Sequence, residues 1–442
     1  MDSDTGSDTG SGITRRAALK TGAAALAAGL ATTRAYAANE RVRVGVVGTG
    51  NRGGQLLNIL VEQANCEVTA LCDVDTAHRE AWGAKIPAAR LYNDYRDMYD
   101  AGGFDAVVIA TPDHWHALQT IHACQAGYDI YCEKPLSMTI VEGRAIADWA
   151  RHTDRIVSVG LQRRSSPMFA ELRERVQAGE FGVITNSRAY RLSNMWPAGL
   201  GKGVDSEPPE GLDWDLWLGP RAERPFRDTI HPYNFRWWHL YSSQMANWGV
   251  HYFDLMRWII GEEAPASVSA HGGVYAVDDD RTIPDTMHAI FEFERGGLMH
   301  FGQYEASGRP MLPPGREFEL RGTKAQIVAG RRGFEAIPER GGQHQDPAPR
   351  MEAVTVEVDE PDNTLLHVQD FLDCVVTRRK PNCDAEEGHR STSFALLANM
   401  ALAAEARLKW DPDAERCISP EEANALLHYE YRAPWVLPKV SG

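Results

Sequence analysis

Arg41-Val42-Arg43-Val44-Gly45-Val46-Val47-Gly48-Thr49-Gly50-Asn51-Arg52-Gly53 is the stretch on which the fold turns. Arg41–Val47 has the apolar content of a buried strand, and Arg52–Ala64 behind it is amphipathic. A G-x-G-x-x-G spacing joins the two. Gly48 allows the tight turn, Gly50 lets backbone approach a pyrophosphate, and Gly53 permits close helix–strand packing. The helix N-terminus, with Asn51 and Arg52 beside it, favours the negative charge. The next apolar run, Glu67–Leu71, leads to Asp73, 20 residues past Gly53. A carboxylate there accepts both ribose hydroxyls of an adenosine and repels a 2′-phosphate. No basic residue comes before Arg79, so the expected cofactor is NAD rather than NADP.

Outward from this motif, strands alternate with helix-length segments. Asp105–Ala110, Asp129–Cys132 and Ile156–Val159 are strand candidates; His116–Ala126 and Val141–Arg151 are helix candidates. The alternation predicts an α/β fold with an N-terminal Rossmann, doubly wound parallel sheet over residues 38–160. After Gly160 the pattern changes. A helix fits Met168–Ala178. Longer strand-like stretches follow at Ile184–Leu192, Ser267–Ala276, Met287–Glu294, Gly297–Tyr304 and Glu317–Arg321. Further helices fit Asn247–Ile260, Leu365–Val376 and Ser391–Leu408. Residues 161–385 are therefore expected to form an α+β domain with a large open, mostly antiparallel sheet. Residues 386–442 are expected to pack on the other domains as a C-terminal helix and tail.

The N-terminus has a different composition. Thr14-Arg15-Arg16-Ala17-Ala18-Leu19-Lys20 precedes an Ala/Leu/Gly run to Leu30, and Ala35-Tyr36-Ala37 is a small-x-small cleavage signal. The paired arginines resemble a twin-arginine export address over residues 1–37, with Ala18 where Phe is usual. The apolar run falls short of the ~20 residues that span a bilayer, so a periplasmic or secreted protein without a stable membrane anchor is expected. Seven cysteines without a CxxC read as small core residues rather than a disulfide frame or zinc site. The net charge of −15 argues against nucleic acid as partner, because a phosphate backbone needs a concentrated basic surface.

Two further segments, Ala110-Thr111-Pro112-Asp113-His114-Trp115-His116 and Cys132-Glu133-Lys134-Pro135-Leu136, follow apolar strands at the ends where doubly wound sheets bind ligands. With the glycine loop they resemble the glucose–fructose oxidoreductase/inositol dehydrogenase/rhizopine-catabolism family over residues 41–430. The resemblance implies that Lys134 is the active-site lysine, with Glu133 beside it. It also implies that Thr111, Pro112, His114 and His116 line the nicotinamide side. A lysine partly desolvated near a cationic ring has a lowered pKa and exchanges a proton readily. Gln162 and Arg163 are expected to border cofactor and substrate. His114 and His116 lack the carboxylate or cysteine companions of a metal site, so no metal is expected. In Asn247-Trp248-Gly249-Val250-His251, the resemblance makes His251 the catalytic histidine. Asn247 stands where many relatives carry Asp, which leaves a Lys134/His251 pair with Asn247 as an orienting group. Asp254 is expected mainly as a structural partner of that helix.

An aromatic-rich stretch, with Trp214, Trp217, Tyr233, Arg236, Trp237 and Trp238, precedes His251. Aromatic faces interleaved with Arg and Asn suit sugar rings, so Tyr233, Arg236, Trp237, Asn247 and His251, with Arg163, are the expected substrate contacts. Packing of domain on domain would equally employ Trp214 and Trp217. The leading expectation is an exported NAD-dependent oxidoreductase acting on a sugar or glycoside hydroxyl, its cofactor tightly bound and recycled in place. Two alternatives are a redox-neutral NAD-dependent glycoside hydrolase and a non-catalytic sugar-binding relative. Analogy with relatives suggests a homo-oligomer, a dimer or a tetramer.

Overall fold

The computed structural model describes residues 41–440; the leader expected over residues 1–37 lies outside them. Six parallel strands form the first sheet: β1 (Val42–Val47), β2 (Cys66–Cys72), β3 (Arg90–Tyr92), β4 (Ala106–Ile109), β5 (Asp129–Cys132) and β6 (Val157–Val159). Their order is β3-β2-β1-β4-β5-β6. The strands are short and almost wholly apolar because helices cover both faces, as in doubly wound sheets generally. The order reverses between β1 and β4, which opens a crevice at their carboxyl ends. Helix Ile140–Thr153 starts with a capping box in which Thr139 and Glu142 satisfy each other's backbone. Helix Asn51–Leu60 starts with no side-chain cap, so its free N–H groups face the crevice.

Ten strands form the second sheet: β7 (Ile184–Leu192), β8 (Ser267–Gly273), β9 (Thr286–Glu292), β10 (Leu298–Tyr304), β11 (Phe318–Gly322), β12 (Ala325–Gly330), β13 (Gly333–Pro338), β14 (Val354–Glu357), β15 (Leu408–Asp411) and β16 (Arg416–Ser419). The order is β14-β13-β12-β11-β7-β10-β9-β8-β15-β16, and only β7 and β10 run parallel. Helix Val250–Ile260 lies on one face, where Phe253 meets Phe291, Phe301 and Phe394. The mostly antiparallel sheet predicted from sequence is present, with five strands (β12–β16) that sequence periodicity did not pick out. Leu408–Asp411 is one of them. The last helix runs over Ala385–Ala403 instead of 391–408, because Asp384 accepts from Glu387 N–H and starts it early. Helix Asn363–Thr377 packs on the first sheet, with Val368, Phe371 and Leu372 against the β1–β2–β4 core. All seven cysteines are buried thiols, which matches their reading as core residues. Among the described residues no helix is long and apolar enough to cross a membrane.

Candidate active site

A cleft runs along the carboxyl ends of β1, β2, β4 and β5. Of the residues expected from sequence, it brings together Gly48, Gly50, Asn51, Arg52, Asp73, Thr111, Pro112, Glu133, Lys134, Tyr233, Arg236 and Asn247. Gly48 has φ +83°, and a Cβ there would meet the backbone of Ala110 at 2.8 Å. A Cβ on Gly53 would lie 1.8 Å from the Gly48 carbonyl oxygen, so Gly53 serves packing and does not face the cleft. The glycine turn, the uncapped helix and Asp73 supply the close backbone approach, the N–H groups and the ribose-binding carboxylate that a dinucleotide needs. Asp73 Oδ2 accepts from Thr49 N–H at 2.7 Å and from the Thr49 hydroxyl at 3.1 Å; Oδ1 accepts from Asp75 N–H at 2.9 Å. No lysine or arginine among the described residues pairs with this carboxylate; the His78 ring lies 3.9 Å from it.

The Thr111–His116 segment divides. Thr111 and Pro112 face the cleft, and the Thr111 hydroxyl donates to Gln119 Oε1 at 2.7 Å. His114 and His116 do not reach the cleft. His114 Nε2 lies 2.9 Å from the Trp217 carbonyl oxygen, and burial pushes its imidazole down to about 3, so it stays neutral. His116 ties two loops together: Nδ1 lies 2.6 Å from the Pro135 carbonyl oxygen and Nε2 lies 3.0 Å from that of Thr111. Burial opposes its charge, but Cys132, Asp113 and the Pro135 carbonyl outweigh burial and push it up to about 10. The neighbour that sequence reasoning passed over is Asp113. It is buried, lines the cleft near Lys134, and accepts a hydrogen bond from the Ser242 hydroxyl. Burial raises its pKa. Its place in the quoted segment was the available signal.

Lys134 follows β5. Its Nζ donates to the main-chain carbonyl of Asn247 at 2.9 Å. Burial pushes the ammonium down to about 8, although Glu133 and Asp113 pull the other way. Glu133 is held at 2.7 Å by Arg52 Nε; burial is outweighed by Arg52 and Lys134, so its carboxyl stays below the usual range. Asn247 sits in a π-helical turn, Met245–Gly249, that runs into helix Val250–Ile260. Such turns recur where a helix is re-aimed at a site. Asn247 lines the cleft; His251, in helix Val250–Ile260, is not among its lining residues, although the Lys134 charge acts on it. Burial, with the Lys134 and Arg163 charges, holds the His251 imidazole far below its ordinary value, and its Nδ1 has no partner among the described residues. Asp254 does not support His251. It accepts from Arg164 Nε at 2.8 Å and Ser391 at 2.7 Å.

Gln162 and Arg163 open a short turn outside the cleft lining. Arg163 pairs with Glu317 at 2.9 Å and lies 4.7 Å over the Tyr252 ring. Trp237 donates from Nε1 to Glu305 at 2.9 Å. Trp214 and Trp217 stack at 4.6 Å in a separate aromatic core with Phe226, Trp238 and Tyr241. That core covers one end of the cleft. Asp213 N–H donates to the Val74 carbonyl at 3.0 Å, Thr76 N–H to that of Gly211 at 2.9 Å, and Trp115 Nε1 to that of Trp217 at 3.0 Å. Packing and cleft lining are thus both served by Trp217, and packing alone by Trp214.

Comparison with known proteins agrees with this geometry. Residues 42–161 match the oxidoreductase family with an NAD-binding Rossmann fold. Residues 217–328 match the GFO/IDH/MocA C-terminal domain, and residues 343–437 the oxidoreductase family's C-terminal alpha/beta domain. The rhizopine catabolism protein MocA of Rhizobium meliloti is 28% identical over 62% of this chain and 73% of its own length. The scyllo-inositol 2-dehydrogenase (NAD(+)) of Bacillus subtilis is 23% identical over 77% and 88%. In fold the chain is similar to scyllo-inositol dehydrogenase from Lactobacillus casei, solved with NAD(H) and scyllo-inositol (TM-score 0.59, 18% identity, 84% of this chain and 99% of that one). The glycine cradle, Asp73 beside it and these three consecutive matches make the chain a member of the Gfo/Idh/MocA family of oxidoreductases, with NAD as its cofactor.

Proposed function

We propose that this protein oxidises a ring hydroxyl of a sugar, glycoside or polyol. The observation that carries the reading is Lys134: a buried amine with a pKa near 8 on the same cleft as the glycine cradle. Relatives named as scyllo-inositol dehydrogenases support a ring CH–OH as the target. NAD bound in the cleft would accept the hydride from the carbinol carbon. The chain's part is the hydroxyl proton. An amine near 8 is partly neutral at working pH and takes that proton, and the Asn247 carbonyl holds the resulting ammonium in place. The neutral His251 imidazole, with a free Nδ1, is a second acceptor beside it.

The reading extends to the cell. The twin-arginine leader supports export, and outside the cytoplasm free NAD is scarce. The aromatic segment bonded across the loop after β2 supports a cofactor that stays bound and is recycled by a second substrate. The face of the ten-stranded sheet that carries the half-exposed Tyr190, Ile290, Leu298 and Tyr304 supports a homo-oligomer. The test is to denature the purified mature protein and measure released nucleotide by mass and amount. Near-stoichiometric NAD(H), reduced by a sugar or polyol before denaturation, is the expected result. NADP(H), or no nucleotide and no sugar-dependent reduction, would overturn the reading.

A further inference from the structure

The short helix Trp214–Leu218 places Leu216 and Trp217 on the wall of the nucleotide cleft, and its far end is held by the end of the chain. A helix leaves its last carbonyls without partners of its own, and a basic side chain there bonds them and suits the dipole. Arg432 fills that place from 217 positions away. Its backbone N–H donates to the Pro220 carbonyl at 2.9 Å. Its Nε donates to the Gly219 carbonyl at 3.0 Å, Nη2 to the Asp215 carbonyl at 3.0 Å and Nη1 to the Asp215 carboxylate at 2.6 Å. The residues around Arg432 are themselves anchored on the nucleotide domain. The Tyr431 hydroxyl donates to Glu142 at 2.6 Å, and Trp149 Nε1 donates to the Pro438 carbonyl at 3.1 Å. Trp435 packs edge-on against Trp115 at 4.9 Å, with the Arg96 guanidinium 4.7 Å over its ring. Trp115 in turn lines the cleft and bonds the Trp217 carbonyl from Nε1 at 3.0 Å.

A helix of five residues is far too short to hold by itself, so its place on the cleft depends on what fastens its ends. Asp213 fastens the first end, through its cap and its bond to Asn93. Arg432 fastens the second. The side chain of Arg432 is 18% exposed and that of Asp215 is 82% exposed, so this contact opens directly into water and its groups are rehydrated as it opens. The stacked Trp214–Trp217 core has no such route. We infer that residues 428–438 form a strap over the wall of the nucleotide cleft, and that Arg432 is the positioning residue that sets how fast a bound nucleotide leaves. Arg432 does not line the cleft; it acts through Asp215 and Gly219 on Trp217. The inference rests on NAD as the cofactor and deepens the reading of a cofactor that stays bound, by naming the contact that retains it.

The test uses the full mature protein loaded with NADH and chased with excess NAD. Loss of energy transfer from tryptophan to bound NADH reads the dissociation rate, and mixing stripped protein with NADH reads association. Arg432→Gln removes the fork and should speed dissociation about tenfold, the scale of a lost charged hydrogen bond. Asp215→Asn, at an exposed carboxylate, should speed it about threefold and add little in the double variant, because both changes remove the same ion pair. Arg432→Lys should recover part of the loss. Association should quicken with dissociation, since the same opening admits the nucleotide; a general loosening of the fold would slow association and lower the melting temperature of the stripped protein. If Arg432→Gln does not fold, Asp215→Asn carries the test. Unchanged dissociation, or faster dissociation with slower association, would overturn the inference. A wild type that releases NADH freely would end the reading of a retained cofactor, while the ratio of variant to wild type still decides the role of Arg432. If the wild type binds no NADH, the cofactor assignment falls, and this inference with it.

Discussion

Lys134 Nζ is anchored 2.9 Å from the main-chain carbonyl oxygen of Asn247. The lysine is therefore positioned by backbone, and the side chain at 247 is free to act on the substrate or on the lysine's charge.

This relationship separates three variants. Asn247→Ala keeps the carbonyl, so turnover should fall less than about tenfold, whereas Lys134→Met should lose about 10²–10⁴-fold as expected for a removed acid–base group. Oxidation needs the unprotonated amine, so kcat/KM should rise with pH through about 8. Asn247→Asp adds a carboxylate that favours the ammonium, which moves that limb to higher pH. A limb that stays in place would show that Lys134 is not the titrating group.

No lysine or arginine among the described residues pairs with Asp73, whose oxygens are held by Thr49 and Asp75. Asp73→Ser keeps a hydrogen-bonding group but removes a repulsion of about 2 kcal/mol toward a 2′-phosphate. The preference for NAD over NADP should shrink about 30-fold, measured as the ratio of the two dissociation constants on stripped protein.

Asp213 caps the short helix Trp214–Leu218 and accepts from Asn93 Nδ2 at 2.9 Å, joining the aromatic segment to the loop after β3. Asp213→Ala removes a cap worth about 1 kcal/mol together with that bond. Bound nucleotide should be lost about tenfold faster on dilution or dialysis, with the melting temperature of the nucleotide-free protein only slightly lowered. Equal retention in the variant would show that the segment does not restrain the cofactor.

Glu387, partly buried on the last helix, accepts from Arg164 at 2.9 Å and also from Arg257 of helix Val250–Ile260. Burial is outweighed by Arg257 and Arg164, and its carboxyl is pushed down to about 2. A carboxyl depressed in the folded state contributes stability above its unfolded pKa, near 4.5, that is lost as pH falls toward 2. The wild type should therefore lose stability progressively between about pH 5 and 2. Glu387→Gln should lower stability at neutral pH by about 3 kcal/mol, because the buried Arg257 guanidinium loses its charge partner and Arg164 is left with Asp254 alone, and should show a flatter acid limb. Chemical denaturation at several pH values reads both.

Much of this was legible in local pattern. G-x-G-x-x-G after an apolar run permits few backbone solutions, because each glycine is required by a contact within its own strand–turn–helix unit. Asp73 and Lys134 were legible for the same reason: each ends a strand, and strand ends in a parallel sheet face one crevice. Segments whose partners are remote were not. The strands β12–β16 carry no clean alternation, and their state depends on the sheet they join. His114 and His116 share a segment with Thr111 but turn away from the cleft, since that depends on where Trp217 and Pro135 arrive.

The amino-acid sequence alone settles the nucleotide half of this protein and the residue types of its chemistry, because those rest on short-range spacing. The tertiary structure decides which groups share a space. It places Asn247 on the cleft within a π-turn, spends Asp254 on Arg164, and brings Asp113 to Lys134. It also brings Arg432 to Asp215, 217 residues apart, at the end of a short helix. The reason is physical. Strand pairing and burial are cooperative over the whole chain, and a side chain's pKa and free hydrogen-bonding atoms are set by neighbours that no local window contains.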